Sequence, residues 1–201
     1  MNDIGDQFKR LCEQNPQPQQ SLHSSEPLEK RLPKRGLDRF TKIGRQGEYL
    51  AADATEWVAL LDKKEQRIWE IKTGRGLQRR EYRFTNYEEN EKPVDDSNVS
   101  SGDLLSRINA ERLAGAQDWR MPTLKELEDL WKAIDETGEW GIPKEAVWYW
   151  SSTPSPDKEF DTKQAEKQVV CLLSFRGGYR SSDFRKEQYA VRAIRQLAEP
   201  Q

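Results

Sequence analysis

Histidine and cysteine, the side chains most often used for acid–base, nucleophilic and metal chemistry, are scarce in this chain, and their spacing argues against all three. The chain of 201 residues has one histidine, His23, and two cysteines, Cys12 and Cys171. A His-based triad, a His-assisted acid–base pair or a His-rich metal site would all depend on that one imidazole. No CxxC pair, Gly-rich phosphate loop or G-x-S-x-G elbow is present. Two carboxylates can suffice for some reactions, but no nucleophile motif, metal motif or phosphate loop accompanies them in the sequence. The expectation is a non-catalytic chain, with no cofactor and no metal site.

The residue types that suit recognition are better represented. Arg176-Gly177-Gly178-Tyr179-Arg180-Ser181-Ser182-Asp183-Phe184-Arg185 mixes three arginines with two aromatics. Arginine and aromatic side chains dominate binding hot spots. Arg176, Tyr179, Arg180, Phe184 and Arg185 are therefore the candidate partner-binding residues, set against the plainer reading of a hairpin with solvated charges. Tyr149 joins them. Trp148 and Trp150 share one face of a strand that must be core, which leaves Tyr149 on the other face and expected to be exposed. A flat surface of this kind suits a protein partner, whereas a concave aromatic pocket would suit a glycan or small ligand.

Composition narrows the partners further. Apolar residues and charged residues each make up 34%, so the core is small and the surface heavily charged. Seven tryptophans offset this, because each can bury a large apolar area. Basic residues number 33 against 35 acidic, a net charge of −2, which argues against a nucleic-acid partner. No apolar run reaches the roughly 18 residues of a membrane span, and Met1 to Arg10 has no apolar signal core. Two distant cysteines make no disulfide framework. A reduced, cytoplasmic location is expected, with no membrane contact.

The elements that must position these residues can be read along the chain. Residues 1–35 are rich in Gln and Pro and cannot bury enough apolar surface to order themselves, so they read as a disordered arm. Ile4, Phe8, Leu11 and Cys12 could form a short helix there that docks on a partner. Residues 36–197 read as one domain and 198–201 as a tail. Glu48 to Leu61 should hold one or two strands, and the Asp62–Glu65 turn followed by Arg67–Ile71 makes a hairpin. Arg79 to Asp96 reads as a weak strand and an exposed loop. One helix is expected from about Gly102 to Ala114, stopped by Gly115. A second opens at Thr123 with Glu126 three residues on, a capping box, and carries Leu124, Leu127, Leu130, Trp131 and Ile134 on one face. Val147–Thr153 and Gln168–Phe175 read as strands, the latter central. Gln188–Arg195 reads as the closing strand.

Three blocks stand in an order that resembles a known family. Ala116-Gln117-Asp118-Trp119-Arg120-Met121-Pro122-Thr123-Leu124-Lys125-Glu126-Leu127 is similar to an aromatic-Ser-Asp-Trp-Arg-Leu-Pro-Thr-x-x-Glu-Leu signature. Tyr149-Trp150-Ser151-Ser152-Thr153 resembles a Tyr-Trp-Ser-Ser-Thr block, and Tyr189-Ala190-Val191-Arg192 a terminal Tyr-x-Val-Arg strand. Arg67-Ile68-Trp69-Glu70 resembles an earlier Gly-Leu-x-Trp block. The family is the Lcl C-terminal-like domain, a bacterial domain, and the resemblance spans roughly residues 37–196. It implies an α+β, C-type-lectin-like fold related to the formylglycine-generating enzymes, with two helices packed on twisted antiparallel sheets. Neither the active-site cysteines of those enzymes nor the calcium motifs of sugar-binding lectins is present. Many exported relatives carry a cysteine where Ala114 stands, so its loss agrees with the missing signal core.

The resemblance also suggests roles. Trp119 would cover the start of the second helix, Arg120 would pair with a carboxylate such as Glu126, and Trp150 would be core. These four residues are expected to serve structure. In this fold the segment before the last strand lies on the ligand-facing side, and in retroelement-diversified relatives it is the variable binding face. The expected function is recognition of a partner protein by an intracellular bacterial module, in a setting such as a defence or regulatory system. A glycan or small-ligand binder, or a diversified ligand-binding protein, are the alternatives.

Overall fold

The structure, a computed structural model, describes residues 39–73, 78–88, 98–138, 140–142, 147–156 and 168–197. The arm at 1–35, with Cys12 and His23, lies outside the described residues, as do the tail at 198–201 and residues 89–96 of the stretch from Arg79 to Asp96.

The architecture is α+β. One antiparallel sheet has the order β1 (Phe40–Ile43), β2 (Ala59–Asp62), β3 (Arg67–Glu70) and β7 (Ile194–Gln196). A second contains β4 (Trp148–Pro154), β5 (Val169–Ser174) and β6 (Tyr179–Phe184), with β5 central. Two helices, α1 (Ser101–Ala110) and α2 (Leu124–Thr137), complete it.

The central strands β2 and β5 are buried on both faces because both are covered. In β2 every residue is buried, with Ala59 and Leu61 in one core cluster and Leu60 in the other. The first cluster joins them to Leu104 and Ile108 of α1, Trp119, Trp150, Leu172 and Val191. The second joins Leu60 and Trp69 to Leu127, Leu130 and Ile134 of α2, and to Tyr149, Leu173 and Phe175. In these central strands alternating side chains thus enter opposite cores, whereas the edge strand β6 is exposed from Tyr179 to Ser181.

Both helices start where their capping chemistry dictates. The Ser100 hydroxyl accepts from Asp103 N–H, and the Asp103 carboxylate accepts from Ser100 N–H. Thr123 and Glu126 do the same for α2, which Gly138 ends. α1 is shorter than its apolar spacing predicts. It stops at Ala110, and Leu113–Gly115 forms a separate 3-10 turn entered through Arg112 at a left-handed φ of 52°. The reason is a close backbone crossing: a Cβ on Gly115 would lie 2.7 Å from the Gln46 carbonyl oxygen.

Other expectations shift for tertiary reasons. The stretch from Glu48 to Leu61 supplies only part of β2 and a bridge at Tyr49, while β1 begins earlier than any strand the sequence suggested. Tyr82, Phe84 and Tyr87 are buried rather than part of an exposed loop. Gln188–Arg195 is not one strand. Ala190 bridges to Tyr149 in the second sheet and Ile194 pairs with Trp69 in the first, so the chain crosses between sheets at Val191–Ala193.

Candidate functional site

The candidate face is built on the β5–β6 hairpin. β5 is buried along its whole length, which fixes the hairpin as a rigid arm of the core. Gly178 turns the chain at φ 67°, and a Cβ there would lie 2.8 Å from the Trp131 ring of α2. Only glycine lets the turn seat on that indole. Tyr179 follows with 67% of its surface exposed, its ring leaning back over Gly177. Arg176 is exposed beside it. Arg180, 68% exposed, forms an ion pair with Glu128 of α2. The result is an exposed phenol between arginines, on a turn that can shift little.

The remaining sequence-predicted residues do not share this face. Phe184 is half-buried at the far end of β6, with the Lys186 ammonium 6.0 Å from its ring centroid. Arg185 is 8% exposed: its Nε donates to the Asn86 carbonyl, its Nη1 donates to Gln168 Oε1 at 2.6 Å, and its guanidinium lies over Tyr87. It ties three segments together and is not available to a partner. Tyr149 is 5% exposed, against the expectation. The face opposite the tryptophans is a second core, where Tyr149 packs on Phe175 at 4.9 Å and its hydroxyl accepts from Arg192 Nη2 at 3.2 Å.

Arg192 belongs to a buried polar network. Its Nη1 donates to the Glu70 carbonyl at 2.7 Å, and its charge rests over the Tyr149 and Phe175 rings. The Glu70 carboxylate accepts from Lys72 Nζ at 2.7 Å and from Ala193 N–H at 3.0 Å. A buried carboxylate with a cation and a main-chain donor is satisfied, so this network fixes the sheet-to-sheet crossover.

The motif residues sit at the start of α2. Trp119 is buried, and its indole N–H donates to the Leu113 carbonyl at 2.9 Å. The Asn109 amide brackets the Trp119 backbone from α1, accepting from its N–H at 2.9 Å and donating to its carbonyl at 3.0 Å. Arg120 grips Glu126 with both terminal nitrogens, at 2.9 and 2.7 Å. Burial alone would raise the Glu126 carboxyl, but the Arg120 hydrogen bonds, the Thr123 N–H and the Arg120 charge outweigh it and hold it at about 2. Trp150 is fully buried and donates to the Phe84 carbonyl at 2.8 Å.

Sequence reasoning missed two features. Glu128 and Trp131, one turn apart on α2, support the hairpin; their spacing on the helix edge was the available signal. A groove of about 400 Å³ also opens between α1 and the Trp119–Met121 stretch, lined by Glu88, Leu105, Ser106, Asn109, Arg120 and Met121. Leu105, Ser106 and Asn109 fall on one stripe of α1, but nothing in the sequence says what faces it. Among the described residues no three His, Cys, Asp or Glu side chains are placed to share a metal ion, and no helix is long and apolar enough to cross a membrane.

No curated protein matches this chain. Residues 58–195, more than half of its length, match the Lcl C-terminal domain. That span begins just before β2, ends inside β7, and includes the α2 capping box, the buried Trp150 and the Arg192 crossover. The chain belongs to the Lcl C-terminal domain family.

Proposed function

We propose that this chain is a non-catalytic recognition module of C-type-lectin-like architecture that binds a partner protein inside a bacterial cell, through Arg176, Tyr179 and Arg180. One observation carries the reading. Among the described residues, Tyr49 and Tyr179 are the large hydrophobic side chains left exposed, and Tyr179 stands between arginines on a turn anchored to Trp131. A rigid exposed aromatic loses little conformational freedom on binding, and arginine beside it adds directional donors. Phe184, Arg185 and Tyr149 hold the fold, so the contact surface is smaller than composition suggested.

The test is an Arg176→Ala, Tyr179→Ala double variant, compared with wild type by calorimetric affinity for a partner purified from the native cell. An unchanged melting curve with binding weakened by roughly 2 kcal/mol or more is the expected result. Full affinity in a well-folded double variant would refute this site.

The α1 groove favours a second reading, a small ligand held between α1 and the Trp119–Met121 stretch. Ser106→Trp would fill that groove. Loss of binding in this variant, with the Tyr179 variant unaffected, would select the second reading over the first.

A further inference from the structure

Among the described residues, β6 is the sheet edge that no other segment pairs with. The outer side of β1 is covered by Leu50, whose N–H donates to the Lys42 carbonyl, and by the Tyr49 bridge. The outer side of β4 bonds to Ala190 and Pro122. β7 is closed by Arg120, which exchanges two main-chain bonds with Ile194. No described strand pairs with the outer side of β6.

The direction of its free groups follows from the register. Val169 and Phe175 bond toward β4, through Ser155 N–H to the Val169 carbonyl and Phe175 N–H to the Val147 carbonyl. The even residues of β5 therefore face β6. Their partners are Asp183, Ser181 and Tyr179, so these point their main-chain groups inward. Arg180, Ser182 and Phe184 point theirs outward. Phe184 is already used locally: its N–H donates to the Asp183 carboxylate and its carbonyl accepts from Glu187 N–H. Among the described residues, the N–H and C=O of Arg180 and Ser182 have no main-chain partner on that side.

Edge strands that must stay single are normally short, bulged, or blocked by Pro or an unpaired Lys. β6 has neither bulge nor Pro, and its six residues pair with β5 without a register shift. Its acidic residue, Asp183, is taken up by Phe184 N–H and the Tyr189 hydroxyl. Its one basic residue, Arg180, is already neutralised by Glu128. The centre of the strand is Ser181 and Ser182, small enough for close approach.

We propose that two copies of this chain pair through β6, antiparallel, about a two-fold axis at Ser181. In that register Arg180 and Ser182 of each copy form hydrogen-bonded pairs with Ser182 and Arg180 of the second copy, satisfying every open group. Ser181 meets its own equivalent in a non-hydrogen-bonded pair, and Tyr179 lies opposite Asp183 of the second copy. No like charges are directly opposed. The interface is isologous and closes at two copies. It merges the two second sheets into one, with both Tyr179 side chains on the same face. The inference does not depend on the proposed partner, although a dimer would present that partner face twice.

The register makes its own test. In a Cys12→Ser background, with the buried Cys171 retained, Ser181→Cys places two thiols across the axis at a Cα separation of about 4.5 Å, within disulfide reach. Ser182→Cys places them more than about 7 Å apart, beyond it. Mild oxidation should convert Ser181→Cys to a covalent dimer and leave Ser182→Cys monomeric on a non-reducing gel. Wild type should sediment at twice the chain mass at ~100 μM, because dimer formation follows concentration. Ser181→Lys, which opposes two like charges on an exposed position, should sediment as a monomer with an unchanged melt in dilute solution. A monomeric wild type at that concentration, or equal cross-linking of the two cysteine variants, overturns the proposal.

Discussion

Replacing Glu126 with glutamine isolates the charge at the start of α2 from its shape. The carboxylate accepts from Arg120 Nη1 and Nη2 at 2.9 and 2.7 Å, from Thr123 N–H at 2.8 Å and from the Thr123 hydroxyl at 3.1 Å. Glutamine keeps an acceptor for the Thr123 N–H but offers Arg120 no charge. The carboxyl lies at about 2 against an ordinary 4.5. At 1.36 kcal/mol per unit that difference corresponds to about 3 kcal/mol. Arg120 is 47% exposed, so solvent screening reduces the expected effect to about 1–2 kcal/mol. Because the folded value lies below the unfolded one, this stability is fully present above the unfolded value and is lost as pH falls through the folded value. Urea unfolding followed by tryptophan fluorescence should therefore show Glu126→Gln less stable than wild type by about 1–2 kcal/mol at neutral pH. The gap should narrow below about pH 4.5 and close only once the pH has fallen below about 2. A gap that stays constant with pH, or no gap at neutral pH, would refute the reasoning.

Two further outcomes follow from the packing. Trp119→Ala empties a site only 3% exposed and removes the donor to the Leu113 carbonyl, so it should lower stability by about 3–5 kcal/mol in the same unfolding assay; a soluble variant of wild-type stability would show that Trp119 does not hold the helix start. Gly178→Ala forces a Cβ onto the Trp131 ring at an unfavourable φ, so it should cost about 1–3 kcal/mol and red-shift the tryptophan emission if the indole is displaced toward water; an unchanged melt would mean the turn is not seated on that indole.

The sequence alone determined the features whose physics is local. The Thr123–Glu126 capping box started α2 at the expected residue, because a cap and its first-turn partner are three residues apart in any context. The Asp62–Glu65 turn between β2 and β3, and the unbroken apolar run of β5 at the centre of its sheet, were legible for the same reason. The family motifs were legible because they encode these caps and strands.

What tertiary structure decided was which faces meet other faces. Alternation in Val147–Thr153 separated Trp150 from Tyr149 correctly, yet could not reveal that α2 covers the second face and buries Tyr149. Arg185 looked like surface because arginine usually is, and only the convergence of Asn86, Gln168 and Tyr87 made a buried site for it. α1 ended early because Gly115 crosses the backbone near Gln46, nearly seventy residues earlier in the chain. The last segment split between two sheets because its partners, Tyr149 and Trp69, belong to different ones. Periodicity records which side of an element a residue takes, but burial depends on what the rest of the chain brings to that side.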